Sequence, residues 1–344
     1  MNYSIKDKLQ QSYLSAGNFA LALRLVVGWT YFSAFWRRLV LENKLDPDVS
    51  GYIGEKFNHF LPNALGIKPV IEYLVSNPDL LWWAMVIFTL VEACVGLMLM
   101  LGFLTRLMSL GVLALATGIL LGSGWLGTTC LDEWQIGILG MAAGFVLFLA
   151  GGGQYSLDHR WLSKTSIGRW KLYPWIASGI LPLKEGIMHR LVVGGSLFIF
   201  FMALFTNQVF HGGIWGQLHN KSVKPIVEIS NTSLNQNEMR FTLFRVEGVD
   251  VYGSFLIGIT LKDPAGNVIL NYDGETLSHF SPTNIHNHYV AKVKPGKHSL
   301  VIPLGAKADI IIPITDLSKV QKGKYQLILT DISGIQWKKE VTLL

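Results

Sequence analysis

The sequence predicts a membrane protein in two parts, a bundle of transmembrane helices followed by an all-β domain outside the cytoplasm. Half of the 344 residues are hydrophobic and only 15% are charged, whereas soluble proteins carry about 25% charged residues. The shortage of charge is confined to residues 19–211, which are dominated by long apolar runs. Residues 212–344 instead have the composition and the strand-like alternation of a soluble domain.

Each of five apolar runs is close to the ~20 residues that a helix needs to cross the ~30 Å hydrocarbon layer of a bilayer. The runs cover residues 19–41, 81–103, 107–126, 133–150 and 191–210. The third and fourth are rich in glycine and alanine, which lets membrane helices approach closely, so we expect the first four to form a compact bundle. Tryptophans near the ends of these runs are typical of an interfacial belt: Trp29, Trp36, Trp82, Trp83, Trp125 and Trp134.

The charges of the loops predict the orientation. The segment 151–190 carries six basic and two acidic residues, whereas the segment 42–80 carries six acidic residues and three lysines. The positive-inside rule therefore puts 151–190 and the N-terminus in the cytoplasm, and the β-domain in the periplasm or outside the cell. The loops also explain the net charge of +6. Because the soluble part has no basic stripe interleaved with aromatic residues, nucleic-acid binding is not predicted.

These patterns divide the chain into four segments. We expect a four-helix transmembrane domain over 1–165, a basic cytoplasmic linker over 166–190, a fifth span over 191–211 and a β-domain over 212–344. The protein is predicted to be a multi-pass protein of the inner (cytoplasmic) membrane. Residues 1–18 are polar, so no cleavable signal peptide is predicted.

The last segment has the pattern of an immunoglobulin-like β-sandwich. Eight runs are β-branched or alternate between apolar and polar residues, and "DPAGN" and "DISG" between them indicate hairpin turns. No cysteine occurs in this domain, so a disulfide between its sheets is excluded. The predicted strands are "KPIVEIS", "MRFTLFRV", "GSFLIGITLKD", "NVILNYDG", "HSLVIPL", "ADIIIPI", "KYQLILTD" and "IQWKKEVTLL".

The segment 42–80 contains a stretch, "DVSGYIGEKFNHFLP", with an amphipathic pattern. Five apolar residues fall on one helical face and three polar residues on the other, which predicts an interfacial helix that lies over the bundle. The apolar residues are Tyr52, Ile53, Phe57, Phe60 and Leu61, and the polar ones are Glu55, Lys56 and Asn58.

One carboxylate lies inside an apolar run. Glu92 falls near the middle of the second run, where a charge costs on the order of 2.5–3.5 kcal/mol on insertion scales. Such a residue either has a function, such as moving a proton, or is a structural group neutralised by a partner. The partner that we consider is Arg24 in the first run, whose long side chain can reach toward the second. Both interpretations stay open.

Motifs in the runs resemble a known family. The first run reads "LALRLVVGWTYFSAFWRR", and the second, "VEACVGLMLMLGFLTR", contains the pattern G-x-x-x-x-x-G-x-x-T-R over 96–106. Residues 18–165 resemble the DoxX-like membrane proteins, and more closely DoxD, taken here as the large subunit of thiosulfate:quinone oxidoreductase. "FTNQVFHGGIWGQLHN" and "ITDLSKVQKGKYQLILTDISG" are similar to DoxA, the small subunit. The whole chain thus resembles a DoxD–DoxA fusion.

The resemblance implies that the chain oxidises two thiosulfate ions to tetrathionate and passes two electrons to membrane quinone of the ubiquinone or menaquinone type, bound without a covalent link. The implied partners are membrane lipid, thiosulfate and the quinone pool, and a homo-oligomer is left open. Two other functions also stay open, because the motif is not specific for thiosulfate. One is a non-catalytic membrane scaffold whose β-domain docks a partner; the other is a DoxX-like quinone-linked reaction on another small substrate.

Under this implication the substrate anion needs cationic side chains on the outer side. Arg37 and Arg38 end the first run there, Lys44 follows, and the forked donors of arginine suit an oxyanion. Two arginines at a helix end also serve as interfacial anchors, so we expect one to bind substrate and one to anchor. Thiosulfate would lie between these residues, the segment 42–80 and the β-domain. His211, where the chain leaves the membrane, is either a further substrate contact or a linker residue.

The redox chemistry points to four more residues. Glu92 and Arg24 would transfer protons or balance charge where quinone is reduced. Cys130, in "TTCLDEW", could carry a sulfur adduct, although a single cysteine in a short loop without a neighbouring base is more often incidental. The two carboxylates after it either pass protons or begin the fourth helix. Trp29 lies deeper in its run than the other tryptophans and is the candidate contact for the quinone ring.

A histidine-rich stretch, "SHFSPTNIHNHY", raises the question of a metal. His279, His286 and His288 lie in it, and His298 follows. No carboxylate or thiol joins them at a recognised ligand spacing, which favours a solvated loop, so no metal site is predicted.

Overall fold

The computed structural model describes residues 5–127, 132–235, 237–250, 254–314 and 322–343. The chain divides into two compact units. The described residues of the first unit, which we call the helical unit, come from Met1–Ser50, Trp83–Gly124 and Leu131–His219. Those of the second, which we call the β unit, come from Gly51–Trp82, Trp125–Cys130 and Asn220–Leu344.

The described α-helices are numbered along the chain. They are α1 (Ile5–Phe19), α2 (Leu21–Phe35), α3 (Ile53–Asn58), α4 (Lys68–Val75), α5 (Pro78–Leu101), α6 (Thr105–Ser123), α7 (Asp132–Ala150), α8 (Leu157–Arg160), α9 (Tyr173–Ile176), α10 (Glu185–Phe210) and α11 (Gly274–Ser278). A π-helical turn, Trp36–Val40, continues α2. Short 3₁₀ turns follow α3, α8 and α11 and precede α9.

Four described helices, α5, α6, α7 and α10, are long and apolar enough to cross a membrane. A fifth span arises if α1 and the helix from Leu21 to Val40 count as one broken span, since they pass the same test together with a bend of 49°. This confirms the helical, multi-span first part of the protein.

The core of the helical unit joins α2, α5, α6 and α7. Their shared cluster of buried residues consists of Tyr31, Val95, Leu99, Val112, Leu115 and Leu147. Helix α10 packs against α6 and α7 through Ile199, but only 6% of its apolar window is buried within the protein. Four helices therefore form the bundle and α10 lies beside it, with most of its apolar surface available to lipid.

The segment expected to be a basic linker is folded. Leu162, Tyr173 and Ala177 form a buried cluster, and Phe103 and Leu104 at the α5–α6 junction pack against it. The first half of 166–190 is therefore a folded part of the helical unit, and its assignment as a cytoplasmic linker stays a prediction. The prediction rested on the charge of the segment; its lysines and arginines are exposed, as are Trp170 and Leu172, whereas Tyr173 and Ala177 are buried.

The β unit is a sandwich of two antiparallel sheets, as predicted. Its strands are β1 (Ile226–Leu234), β2 (Glu238–Glu247), β3 (Ser254–Lys262), β4 (Val268–Asp273), β5 (Ile285–Asn287), β6 (Lys294–Pro295), β7 (Leu300–Ile302), β8 (Lys307–Pro313), β9 (Gly323–Asp331) and β10 (Gln336–Leu343). One sheet has the order β1-β2-β8-β5 and the other β10-β9-β3-β7-β6, with β4 paired to β3.

This topology contains the strand sets of an immunoglobulin constant-type domain, with β4, β6 and β7 added to the second sheet. In the immunoglobulin lettering, β1, β2, β8 and β5 correspond to strands A, B, E and D, which lie side by side in the first sheet. In the second sheet β10, β9 and β3 correspond to strands G, F and C. All eight predicted strands are present, and both predicted turns close hairpins, β3–β4 and β9–β10. The core is apolar where other such domains carry a disulfide: Phe241 and Leu243 of β2 and Leu327 and Leu329 of β9 are buried together.

The predicted interfacial helix belongs to the β unit instead. Asn58 in α3, expected on the polar face, is fully buried; it donates to Gly305 O at 2.8 Å and accepts from the backbone N–H of Ala291 at 3.2 Å. Tyr289 donates to Glu72 of α4 at 2.6 Å. The prediction of an interfacial helix failed because Asn58 forms hydrogen bonds with backbone groups that are not paired between strands. The periodicity of apolar residues does not reveal such hydrogen bonds.

Trp125 also departs from the prediction. It is fully buried in the β unit, where its indole N–H donates to Phe60 O at 3.2 Å, so it is no interfacial anchor. Trp29, Trp36 and Trp83 are exposed, as members of a lipid-facing belt should be.

Candidate functional site

A buried ion pair lies inside the helical unit. Arg38 Nη1 donates to Glu92 Oε2 at 2.5 Å and to Thr89 Oγ1 at 3.0 Å. The side chain of Glu92 is 5% exposed and that of Arg38 is 13% exposed. The sequence predicts Glu92 as a proton carrier and Arg38 as a candidate anion ligand, and the structure brings the two together.

Two glycines set the approach of the helices that carry the pair. A Cβ atom on Gly96 would lie 2.6 Å from Gly28 O, so α2 and α5 are in backbone contact at this level. Small residues permit such close crossings in membranes. The π-helical turn that contains Arg38 follows on α2, and π-turns often re-aim side chains at functional sites. Because the crossing is tight, the arginine on one helix reaches the carboxylate on the other.

The surroundings of the pair combine apolar and polar groups. The Arg38 guanidinium lies 5.6 Å from the centroid of the Phe88 ring. Thr89 in turn donates to Met85 O at 2.7 Å, which fixes its hydroxyl as an acceptor for Arg38. Buried Tyr31 lies within electrostatic range of Glu92. Thr89 and Glu92 are three residues apart and share a face of α5, a spacing that the sequence argument did not use.

Arg38 retains unused donors. Both of its hydrogen bonds start at Nη1, and neither Nη2 nor Nε bonds to another described residue. An arginine has five N–H donors in a planar fork that matches an oxyanion. The pair therefore has a cation able to bind a further anion and a carboxylate able to take a proton.

Arg24 does not pair with Glu92, so that prediction is wrong. Its guanidinium donates to Gly152 O and, at 2.8 Å, to Tyr155 O, and the side chain is fully buried. Both carbonyls lie just after α7, beyond a helix end that leaves such groups unsatisfied. Arg24 therefore holds the 151–155 segment against α2.

A second polar cluster surrounds Arg106 and Asp158. Arg106 is fully buried and donates to four backbone carbonyls: Phe148 O at 2.8 Å, Leu149 O at 3.4 Å, Gly179 O at 2.8 Å and Pro174 O. Asp158 accepts from the hydroxyls of Thr105 at 2.6 Å and Ser178 at 2.8 Å.

The backbone at the start of α6 has the geometry that this cluster needs. Leu104 has φ of +49° and its N–H donates to Asp158 at 2.7 Å, and the Thr105 N–H donates to the same carboxylate at 3.0 Å. Asp158 thus caps α6 across the chain and compensates for a left-handed residue. The Thr-Arg motif of the sequence is explained by this cap, and Asp158, which sequence reasoning counted only as a loop charge, is its central residue.

Two family models match the chain. The first, described as TQO small subunit DoxD, matches residues 19–184, and the second, TQO small subunit DoxA, matches residues 210–340. The chain belongs to the DoxD and DoxA families, joined in one polypeptide. DoxD is thus described as a small subunit, which corrects the large-subunit assignment made from the sequence. Both families are subunits of thiosulfate:quinone oxidoreductase, so the protein is a membrane oxidoreductase.

The remaining predicted residues of the DoxD segment are dispersed. Arg37 is exposed and donates from Nε to Ser33 O at 3.3 Å. Lys44 forms an exposed ion pair with Glu42 at 3.0 Å. Trp29 is 55% exposed and tilts against Phe32, with ring centroids 6.2 Å apart. None of these three joins the Arg38–Glu92 pair. Cys130 lies outside the described residues.

His211, near the start of the DoxA segment, is buried. Its Nε2 lies 2.9 Å from Gly124 O, which makes Nε2 the protonated nitrogen. Burial lowers the pKa of His211. A neutral, enclosed imidazole that ends α10 is not placed as an anion ligand.

The histidine-rich stretch lies in the DoxA segment. His288 Nε2 is 2.9 Å from Asp309 Oδ2, and the His286 and His288 rings are 5.7 Å apart. Among the described residues, no group of three His, Cys, Asp or Glu side chains has the geometry of a metal site.

A buried cation also lies in the DoxA segment. Arg245 donates to the carbonyls of Ile302 at 3.1 Å and Val249 at 2.7 Å, and burial lowers its pKa to about 10. His59, within electrostatic range of Arg245 and Asp250, has its pKa lowered to about 4, chiefly by burial. Arg245 thus donates to backbone carbonyls of its own domain, as Arg106 does.

Proposed function

We propose that the protein oxidises thiosulfate to tetrathionate and reduces membrane quinone, and that the Arg38–Glu92 pair is the centre of this activity. Two thiosulfate ions each lose one electron and join through a new sulfur–sulfur bond. Quinone accepts the two electrons and two protons to become quinol. The observation that carries the proposal is the ion pair of 2.5 Å between a candidate anion ligand and a candidate proton carrier within the membrane part of a DoxD segment.

The unused donors of Arg38 support its role in binding substrate. A thiosulfate oxygen or sulfur can accept from Nη2 and Nε while Nη1 remains with Thr89. The Phe88 ring beside the guanidinium limits access by water and so strengthens the electrostatic attraction. Arg37 is exposed and lies next to Arg38, which fits the expectation that one arginine of the tandem anchors the helix.

The charge of Glu92 supports its role in proton transfer. A dianion that approaches Arg38 is repelled by a carboxylate on the same nitrogen, and the repulsion is removed if Glu92 takes a proton. Quinone reduction consumes two protons, and a buried carboxylate that changes its charge is suited to deliver them. Tyr31, within electrostatic range of Glu92, is a neighbouring hydroxyl for such a path.

Aromatic residues on α2 fit a quinone ring. Phe32 lies 6.2 Å from Trp29 and 6.2 Å from Trp36 between ring centroids, which forms a row on the helix that leads to Arg38. Trp29 and Trp36 are exposed, so a planar ring from the bilayer can pack against them. Trp29 thus keeps its proposed role as a quinone contact.

The proposal includes the predicted topology. The exposed basic residues of the segment 151–190 favour a cytoplasmic position, with the DoxA segment in the periplasm or outside the cell. The membrane is then the inner, cytoplasmic one, where thiosulfate arrives from outside and quinone from the bilayer.

Direct turnover tests the function. Protein purified in detergent with added phospholipid is supplied with thiosulfate and decyl-ubiquinone or a menaquinone analogue. Quinol is followed optically and tetrathionate is measured in the same sample. We expect one tetrathionate per quinol and no quinol without thiosulfate.

A second sulfur anion sharpens the result. Sulfite and sulfide are offered in parallel, because a site that accepts any small sulfur anion would reduce quinone with all three. Absence of quinol formation by folded protein with every donor would contradict the oxidoreductase proposal and favour a scaffold.

A further inference from the structure

Three adjoining cavities run along one end of the helical unit. The first, of about 610 Å³, is apolar and is lined by α1, α2 and α7, including Phe19, Leu23 and Leu149. The second, of about 290 Å³, shares Tyr13 and Ala150 with the first. Volumes of this size are typical of small-molecule sites, about 300–1,000 Å³. The bend of 49° between α1 and α2 opens the first cavity as a groove.

The character of the lining changes from apolar to basic along this groove. The second cavity is lined partly by polar groups, among them Tyr13, His159 and Ser178. The third, of about 470 Å³, shares His159 and Ser163 with the second and adds Arg160 and Lys164. An occupant that spans all three has an apolar chain at one end and a negative charge at the other.

The two cations at the end of the groove are available. Neither Arg160 nor Lys164 forms an ion pair with another described residue, and Arg160 lies 5.8 Å from the ring of exposed Tyr155. The buried arginines Arg24 and Arg106 donate to backbone carbonyls, whereas Arg160 and Lys164 are exposed. The positive charges of Arg160 and Lys164 are therefore available to a ligand in the third cavity.

Exposed aromatic residues mark the level of the polar end. Trp161 and Trp170, in the same segment as Arg160 and Lys164, are 57% and 58% exposed. Exposed tryptophan is enriched at the boundary between lipid tails and head groups. The basic cavity thus lies where a lipid phosphate lies, and the apolar groove lies where acyl chains lie.

We infer that this groove is a binding site for one anionic phospholipid. An acyl chain occupies the cavity between α1, α2 and α7, and the phosphate is held by Arg160 and Lys164, with a hydrogen bond available from the His159 ring. Basic pockets between membrane helices are known to hold acidic head groups. The bound lipid connects α1 to the 151–180 segment and is separate from the Arg38–Glu92 pair.

The test compares two lipids with identical acyl chains. Full-length protein in detergent is titrated with dioleoylphosphatidylglycerol or dioleoylphosphatidylcholine, and bound lipid is counted by native mass spectrometry. We expect one site that prefers the anionic lipid by about thirtyfold, as about 1 kcal/mol from each of the two cations would give. Arg160→Gln with Lys164→Gln should remove the preference, whereas Leu23→Trp should fill the groove and weaken the binding of both lipids.

Matched variants provide the controls. Arg169→Gln with Lys171→Gln removes the same charge from exposed positions of the same segment, and Leu139→Trp adds the same ring at an exposed position of α7. Both should bind lipid like the unmodified protein, and the thermal midpoint in lipid-free detergent verifies that each variant is folded. Equal binding of the two lipids, an equal loss in the control variants, or displacement of the lipid by decyl-ubiquinone at stoichiometric concentration would overturn the inference.

Discussion

Two arginines of the helical unit, Arg106 and Arg38, have guanidinium groups that are hydrogen-bonded in different ways. Arg106 uses all three nitrogens on backbone carbonyls of residues 148–179. Arg38 uses one nitrogen, on a carboxylate and a hydroxyl. An arginine whose donors are all bound to backbone carbonyls stabilises the fold and has no donor left for a ligand, because these acceptors neither change charge nor dissociate. An arginine held by one carboxylate keeps donors for a ligand and has a partner whose charge can change.

The largest expected effect concerns Arg106, the arginine that is held by backbone carbonyls. Arg106→Gln leaves several buried carbonyls without a donor, which we expect to cost at least about 3 kcal/mol of unfolding free energy. The thermal midpoint in detergent should fall by on the order of 10 °C. Arg169→Gln, an exposed substitution of the same type, is the control and should be neutral. A neutral Arg106→Gln would break the distinction between the two arginines.

The next largest expected effect concerns Glu92, the partner of Arg38. Glu92→Gln keeps an acceptor for Arg38 but removes the charge, so we expect a smaller loss of stability, about 1–3 kcal/mol. Turnover should fall on the order of 10²-fold, the usual contribution of a positioned proton carrier. Glu92→Asp keeps the charge on a shorter side chain, so its turnover should lie between those of the unmodified protein and Glu92→Gln. Full turnover of a less stable Glu92→Gln protein would assign the pair to structure.

Local patterns of the sequence predicted much of the fold. Apolar runs of membrane length and alternating strands are visible in consecutive residues, so the spans and all eight predicted strands were recovered. Glu92 was also singled out from its depth in an apolar run and Arg38 from its position at the end of one, and their chemical roles stay predictions.

The partners of these residues could not be predicted in the same way. The pairing of Glu92 with Arg38 and not Arg24 depends on where two helices cross, which Gly28 and Gly96 decide. Asp158 lies in a segment without periodicity and Asn58 on the polar face of an amphipathic pattern, and the roles of both come from backbone groups distant in sequence. When a polar residue forms hydrogen bonds with a segment distant in sequence, the residues next to it in the chain do not reveal this role.

The smallest effect extends the comparison to the β unit, where Arg245 is also held by carbonyls. His59 beside it has a pKa of about 4 in the folded state against 6.5 for a free histidine. Between these values the unfolded state binds more protons, so stability is lost as the pH falls from about 6.5 toward 4. His59→Gln should lower this acid sensitivity, as seen in thermal midpoints at pH 7 and pH 4.5. His279→Gln, an exposed control, should retain it; identical profiles for His59→Gln and the unmodified protein would contradict the burial of a neutral imidazole.

The central claim is that Arg38, and not its neighbour Arg37, binds the anionic substrate. The most direct measurement is kcat/KM for thiosulfate at saturating quinone in Arg38→Gln and Arg37→Gln, with thermal midpoints to verify folding. The account predicts a loss on the order of 10²-fold for Arg38→Gln, from the charge-assisted hydrogen bonds removed, and nearly unchanged kinetics for Arg37→Gln. Equal losses in the two variants, or full activity of folded Arg38→Gln protein, would contradict it.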